Sequence, residues 1–234
     1  MIRSFTVLFS ILLLASMVYA QNAPEAPAGY PAELTQGTSF TGFQWTPGVD
    51  NFNGKLAAIV PTYNGETGIG QMSLYGIKYG YFIATAWAVG GVLDFGSNSS
   101  TQDLTGGGQN KFSSTEFGIT AFVNRYFQPK FEDVSVWVGA EISFGSLSST
   151  QETTGTNPSK TELSASSLGI GLNFGAQYFI DNGFSLSADY HLGFLNFNKP
   201  EQTVTEGNTS VTTKGPSASW FGTMTGSLGI NFYF

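Results

Sequence analysis

Three polar side chains of the kind that hydrolases use lie close together at Ser187, Asp189 and His191. They occupy alternate positions, so on a strand all three would share one face. Residues i and i+2 of a strand lie roughly 6.6 Å apart, whereas a catalytic triad needs contacts of about 2.6–3.2 Å. The three residues therefore do not form a triad alone, and a partner on a neighbouring strand would have to complete a catalytic site.

Other site chemistries have little support in the sequence. There is no cysteine and only one histidine, and the carboxylates of the polar segments show no metal-ligand spacing: Asp103, Glu152, Glu162, Glu201 and Glu206. We therefore expect no metal site and no cofactor. The balance of 9 Lys and Arg against 16 Asp and Glu argues against nucleic acid as a partner, because phosphate binding needs clustered basic residues.

The elements that carry these residues show a period of two. In residues 134–145, Val134, Val136, Val138, Ala140, Ile142 and Phe144 fall on one face, and Ser135, Trp137, Gly139, Glu141, Ser143 and Gly145 fall on the other. The same alternation recurs in 87–95, 168–180, 184–194 and 220–234. Alternation of this kind is typical of strands, and none of these segments has helical spacing.

Composition indicates which face of the strands meets water. Charged residues make up 11% of the chain, against roughly 25% in ordinary globular proteins, and aromatic residues reach 15%. The apolar stripes of the five segments contain no charge, as expected of a lipid-facing surface, where each Arg or Lys near the midplane costs roughly 2–4 kcal/mol. The other stripes are small and polar, which suits the inside of a narrow barrel.

Inside such a barrel, ionisable side chains must be paired or hydrogen-bonded. We expect one polar network in the lumen, formed by Lys78, Asp94, Glu141, Asp189 and His191. Arg125 instead falls in line with an apolar stripe beside a short turn, where its long side chain would reach the membrane interface.

Short and long connections alternate along the chain. The short ones are 83–85, 128–130 and 181–183, and the long polar ones are about 47–68, 97–114, 147–163 and 199–216. This pattern predicts eight strands, at about 38–46, 69–81, 86–97, 115–127, 132–146, 165–180, 184–198 and 217–234. The run 56–60 competes with 38–46 as the first strand. The short turns predict a periplasmic aromatic girdle of Tyr79, Tyr81, Trp87, Tyr126, Phe127, Tyr178, Phe184 and Phe232.

The N-terminus has the features of an export signal. One positive charge at Arg3 precedes an apolar run, and Val18-Tyr19-Ala20 fits a cleavage site after Ala20. The run is too short to cross a bilayer as a helix, which needs roughly 20 residues. We expect a signal peptide at 1–20, a flexible periplasmic leader at 21–37 and the barrel at 38–234. Because the chain has no cysteine, it is not a lipoprotein.

Three stretches resemble the porin-family outer-membrane β-barrel domain of the Bacteroidetes type, which is related to small eight-stranded barrels. They are Tyr79–Phe82 with Trp87–Gly90, Ala121–Phe127, and Gly175–Phe179 with Asp181 and Asn182. The resemblance implies an all-β, antiparallel, up-and-down transmembrane barrel in the bacterial outer membrane. It also implies that the terminal Phe234 is recognised by the barrel-assembly machinery.

These observations favour a non-catalytic barrel that contacts outer-membrane lipid and displays four long polar loops outside, in a structural or surface-interaction role. The first alternative is a narrow channel or a transporter of small hydrophobic molecules. The second is an envelope enzyme that modifies lipid.

Overall fold

The protein is seen in a computed structural model that describes residues 31–46, 74–104, 107–129, 131, 133–155, 158–215 and 217–234. The expected signal peptide with Ala20, residues 21–30 of the leader and the competing run 56–60 lie outside the described residues. No helix in the described part is long and apolar enough to cross a membrane.

Nine antiparallel strands account for almost all of the described chain. They are β1 (Ser39–Thr46), β2 (Leu74–Ala84), β3 (Trp87–Asp103), β4 (Gln109–Phe127), β5 (Val134–Thr153), β6 (Ser159–Asp181), β7 (Phe184–Glu206), β8 (Thr209–Lys214) and β9 (Ser217–Tyr233). From β1 to β7, each strand pairs with the next one in sequence, and β9 pairs with both β7 and β1. The short strand β8 pairs with the last residues of β7. The eight strands other than β8 therefore form a closed ring, which confirms the predicted barrel and its first strand.

The wall of the barrel has one apolar and one polar face. On β5, Val138, Ile142 and Phe144 are 46–49% exposed, whereas the intervening Glu141 and Ser143 are 8% exposed. The small polar residues thus fill the inside, and the large apolar ones form the outer surface. Because the first strand pairs with the last, the ring suits a bilayer, where an unsatisfied backbone group would cost several kcal/mol.

Three of the predicted long loops are mostly paired strand, so this part of the loop prediction is wrong. Strands β3 and β4 pair up to Asp103 and Gln109, and β5 and β6 pair up to Thr153 and Ser159. Most of the third loop is the end of β7 paired with β8. The outer faces of these hairpins are polar, so they lack the outward apolar stripe by which the other strands are recognised.

The last residues of the expected leader form an N-terminal strap (residues 31–38) that contacts the barrel. The strap contains a 3-10 helix, Ala32–Leu34. Ala86 donates its backbone N–H to the Leu34 carbonyl at 2.8 Å, and Gly183 donates to the Glu33 carboxylate at 2.9 Å. Leu34 is fully buried. The strap therefore covers the end of the barrel at which the short turns lie.

Candidate functional site

The lumen holds the five ionisable residues expected there. Lys78, Asp94, Glu141 and Asp189 are buried, and His191 is half-buried. Lys78 Nζ lies 3.3 Å from Asp189 Oδ2, and His191 Nδ1 lies 2.7 Å from Glu141 Oε2. Asp94 accepts a hydrogen bond from Gln44 at 3.0 Å. The structure thus brings four of the five residues together in two pairs, and Asp94 has Gln44 as a partner that was not expected.

The Lys78 ammonium has further partners in two aromatic rings. It lies 5.4 Å from the centre of the Phe122 ring and 5.2 Å from that of Trp137. Ring faces attract a cation over distances within about 6 Å. A carboxylate and two ring faces together offset part of the desolvation cost of a buried ammonium, and Lys78 therefore links the polar layer to the aromatic layer beside it.

The geometry around His191 does not reproduce a hydrolase triad. His191 pairs with Glu141, and Asp189 pairs with Lys78. The Ser187 hydroxyl has no hydrogen-bond partner among the described residues, so the nucleophile of a triad has no contact with a base there. Within the same described part of the chain, no three metal-ligating side chains cluster.

An aromatic cluster, here called the plug, fills the short-turn end of the lumen. Its rings form five contacting pairs, with ring centres 5.2–5.9 Å apart. Leu34 of the strap packs in the same buried cluster. The six aromatic residues, all buried, are Phe40, Phe82, Tyr126, Trp137, Phe179 and Tyr233. The sequence signal for the plug is an aromatic residue on the inward stripe next to a short turn.

One member of the plug, Tyr126, corrects the predicted girdle. Its side chain is 1% exposed and points inward, since Arg125 and Phe127 on either side point outward. Six other predicted girdle residues are 38–52% exposed on the outer surface: Tyr79, Tyr81, Trp87, Phe127, Tyr178 and Phe232. The last, Phe184, is half-buried against the Phe232 ring. Arg125 lies over the rings of Trp87 and Phe127.

A second aromatic belt, here called the outer ring, was missed from the sequence. Trp45 pairs with Tyr75, Tyr75 with Phe95, and Phe95 with Phe117, while Leu168 lies between Phe144 and Phe197. All seven residues point outward and are 42–54% exposed. The next outward residue on β3 to β7 is polar: Ser97, Thr115, Ser146, Ser166 and Lys199. The sequence feature that could have revealed this ring is the last large apolar residue of each outward stripe, because the stripe ends at the second membrane interface.

The sequence of the chain matches a family model, the outer membrane protein beta-barrel domain, over residues 10–231. The chain belongs to this family. The protein is therefore an integral β-barrel of the bacterial outer membrane, and its outward apolar faces contact membrane lipid. In barrels of this kind the short turns face the periplasm and the long connections face outside.

Several solved outer-membrane barrels are similar to the chain. The attachment invasion locus protein Ail of Yersinia pestis is 16% identical, with a TM-score of 0.42 over 86% of this chain and 100% of that one. Neisserial surface protein A is 16% identical, with a TM-score of 0.41 over 85% and 98%. CarO of Acinetobacter baumannii is 10% identical, with a TM-score of 0.43 over 86% and 99%. No curated protein matches the chain.

Proposed function

We propose that the protein is a closed, non-catalytic barrel that anchors in the outer membrane and presents its extracellular hairpins as an interaction surface. The observation that carries this proposal is the plug. Six buried aromatic side chains and Leu34 occupy the periplasmic end of a lumen that an eight-stranded barrel already fills with side chains. A wide diffusion path does not fit through such a packed layer.

The extracellular hairpins supply the surface for interaction. Strand β6 has 23 residues, whereas about 9–11 residues suffice to cross the hydrocarbon layer. The remainder rises above the outer ring as paired sheet, with exposed Ser, Thr, Lys and Glu side chains. A paired sheet holds these groups in fixed positions, so a partner meets a preorganised surface and less ordering entropy is lost on binding.

Bilayer recording tests the closed lumen. Purified protein in a planar bilayer is expected to give no steady single-channel steps, while a wide porin in the same bilayer serves as the positive control. Steady steps from the wild-type protein would favour the narrow channel instead.

Display of the hairpins is tested with a matched pair of epitope tags. One tag is inserted between Gly207 and Asn208, in the turn from β7 to β8, and the other between Asn182 and Gly183, in the turn from β6 to β7. Antibody is expected to label the first tag on intact cells and the second only after permeabilisation. Labelling of the second tag on intact cells would contradict the proposed display.

Two further parts of the proposal have their own tests. Lipid A from cells that express the protein is expected to have the same mass with wild-type protein and with His191→Ala, and a changed mass would indicate an enzyme.

Phe234 pairs its backbone with Ser39 at 2.8 and 2.9 Å, where the last strand meets the first. If the assembly machinery recognises this residue, deletion of Phe234 lowers the amount of barrel in the outer membrane, whereas unchanged levels would remove that role.

A further inference from the structure

A groove of about 480 Å³ crosses the outside of the wall on strands β4 to β7. Glu116, Leu147 and Ala165 also line the groove, but their side chains are buried. The lining residues that alternate with them along the strands point away from the barrel. Phe117 and Lys199 lie on opposite sides of the groove. Between them, four serines form its floor: Ser146, Ser148, Ser164 and Ser166.

The depth of the groove in the membrane is given by the outer ring. Phe117 belongs to both the ring and the groove. Below the serines, the next outward residues are Phe144 on β5 and Leu168 on β6, which are 49% and 43% exposed. A molecule in the groove would therefore touch hydroxyl groups above and acyl-facing side chains below. Such a boundary suits an amphiphile and does not suit a fully water-soluble ligand.

The charges around the groove favour an anionic group at one end. Glu201 also lines the groove, but its carboxylate lies 2.9 Å from Lys214 Nζ, which neutralises it. Lys199 is exposed and has no ion pair among the described residues. Its position directly after the apolar Phe197 stripe places the ammonium near the level of lipid phosphates, where a Lys attracts anionic lipid.

We propose that this groove binds the phosphorylated sugar headgroup of a glycolipid in the outer leaflet. The serine hydroxyls bond the sugar hydroxyls, Lys199 contacts a phosphate, and the acyl chains lie over Phe144 and Leu168. This assignment is independent of the proposed surface role, because a barrel with or without an external partner can hold a structural lipid at this position.

Native mass spectrometry of the detergent-solubilised barrel tests the site, with bis-phosphorylated lipid A as the probe. The wild-type protein is expected to retain one lipid A. Lys199→Gln is expected to weaken retention about fivefold, since it removes one cation at the membrane surface. Ser164→Trp fills the groove and is expected to abolish retention.

Matched controls separate the groove from general effects. Lys111→Gln and Ser97→Trp make the same changes at exposed, outward positions on β4 and β3 outside the groove, and both are expected to retain lipid A. All variants are first checked for the folded band by heat-dependent gel migration. Equal retention by wild-type protein and both groove variants would overturn the site. Equal retention of dephosphorylated lipid A, or displacement of lipid A by inorganic phosphate alone, would overturn the assignment to a phosphorylated glycolipid headgroup.

Discussion

At the scale of single residues, four of the five ionisable side chains in the lumen lie in two pairs, Lys78 with Asp189 and His191 with Glu141. Lys78 and Asp189 are 6% and 5% exposed and lie on strands far apart in sequence. Their mutual attraction compensates a desolvation cost that neither side chain could meet alone. Losing one member of such a pair leaves an uncompensated buried charge, whereas losing both does not.

The first prediction follows from this asymmetry. Lys78→Met is expected to lower the free energy of unfolding by about 3–5 kcal/mol, measured by urea titration of the barrel in lipid vesicles. The double variant Lys78→Met/Asp189→Leu is expected to recover most of the loss. Lys160→Met, which breaks the exposed pair with Glu162, serves as the control and leaves unfolding unchanged. A single variant as stable as the wild type would contradict the pairing.

Residue-level prediction from the sequence succeeded where the two stripes differ in character and failed where they do not. Glu141, Asp189 and Lys78 were placed inside because their neighbours are apolar and outward. Tyr126 was misplaced because both stripes are aromatic beside the short turn, so residue type no longer distinguishes the faces. The partner of Asp94, Gln44, was not predictable, since it depends on a contact between strands 50 positions apart.

At the scale of elements, the N-terminal strap covers the short-turn end of the barrel with few residues. Leu34 is fully buried against the plug, and the backbone of the strap bonds to the β2–β3 turn. The sequence hid this role because a Pro- and Ala-rich stretch without periodicity is typical of a flexible leader. Its position comes from tertiary contacts with two turns that are distant in sequence.

The second prediction concerns this strap. Leu34→Ala is expected to lower the free energy of unfolding by about 2–5 kcal/mol, because it leaves a cavity in a packed layer. Phe131→Ala removes a larger apolar side chain at the same end, but Phe131 is 73% exposed, and no loss is expected there. The test is the urea concentration at the midpoint of unfolding, measured for both variants. If Leu34→Ala and Phe131→Ala have equal midpoints, the strap does not pack against the plug.

The third prediction concerns the β5–β6 hairpin. Ser149 and Leu163 are cross-strand partners above the outer ring, so residues 150–162 can be replaced by an Asn-Gly turn, which matches the twist of a two-residue hairpin. The shortened protein is expected to keep the folded, heat-modifiable band, because the membrane part of the sheet retains all its pairings. Failure to fold would show that the sheet beyond the outer ring is needed for the barrel.

At the scale of the whole molecule, the sequence alone was enough to predict the closed ring of strands and the face of each strand that points outward. Each membrane strand carries a lipid-facing stripe, and this constraint is strong enough to be read segment by segment. The constraint ends at the outer ring, and the continuation of β3 to β7 beyond it was therefore mistaken for loop. The plug and the strap were also missed, since packing inside the lumen depends on how eight strands meet and not on any one stripe.

The membrane barrel depends on apolar stripes that face outward, and the cysteine-free chain allows this orientation to be measured directly. Single cysteines at Ile142, Ser143 and Phe144 are spin-labelled in lipid vesicles, and collision rates with oxygen and with a water-soluble nickel chelate are compared. High oxygen access at Ile142 and Phe144 with low access at Ser143 is the expected result. High nickel access at Ile142 and Phe144 would place these side chains in water and contradict the barrel's orientation.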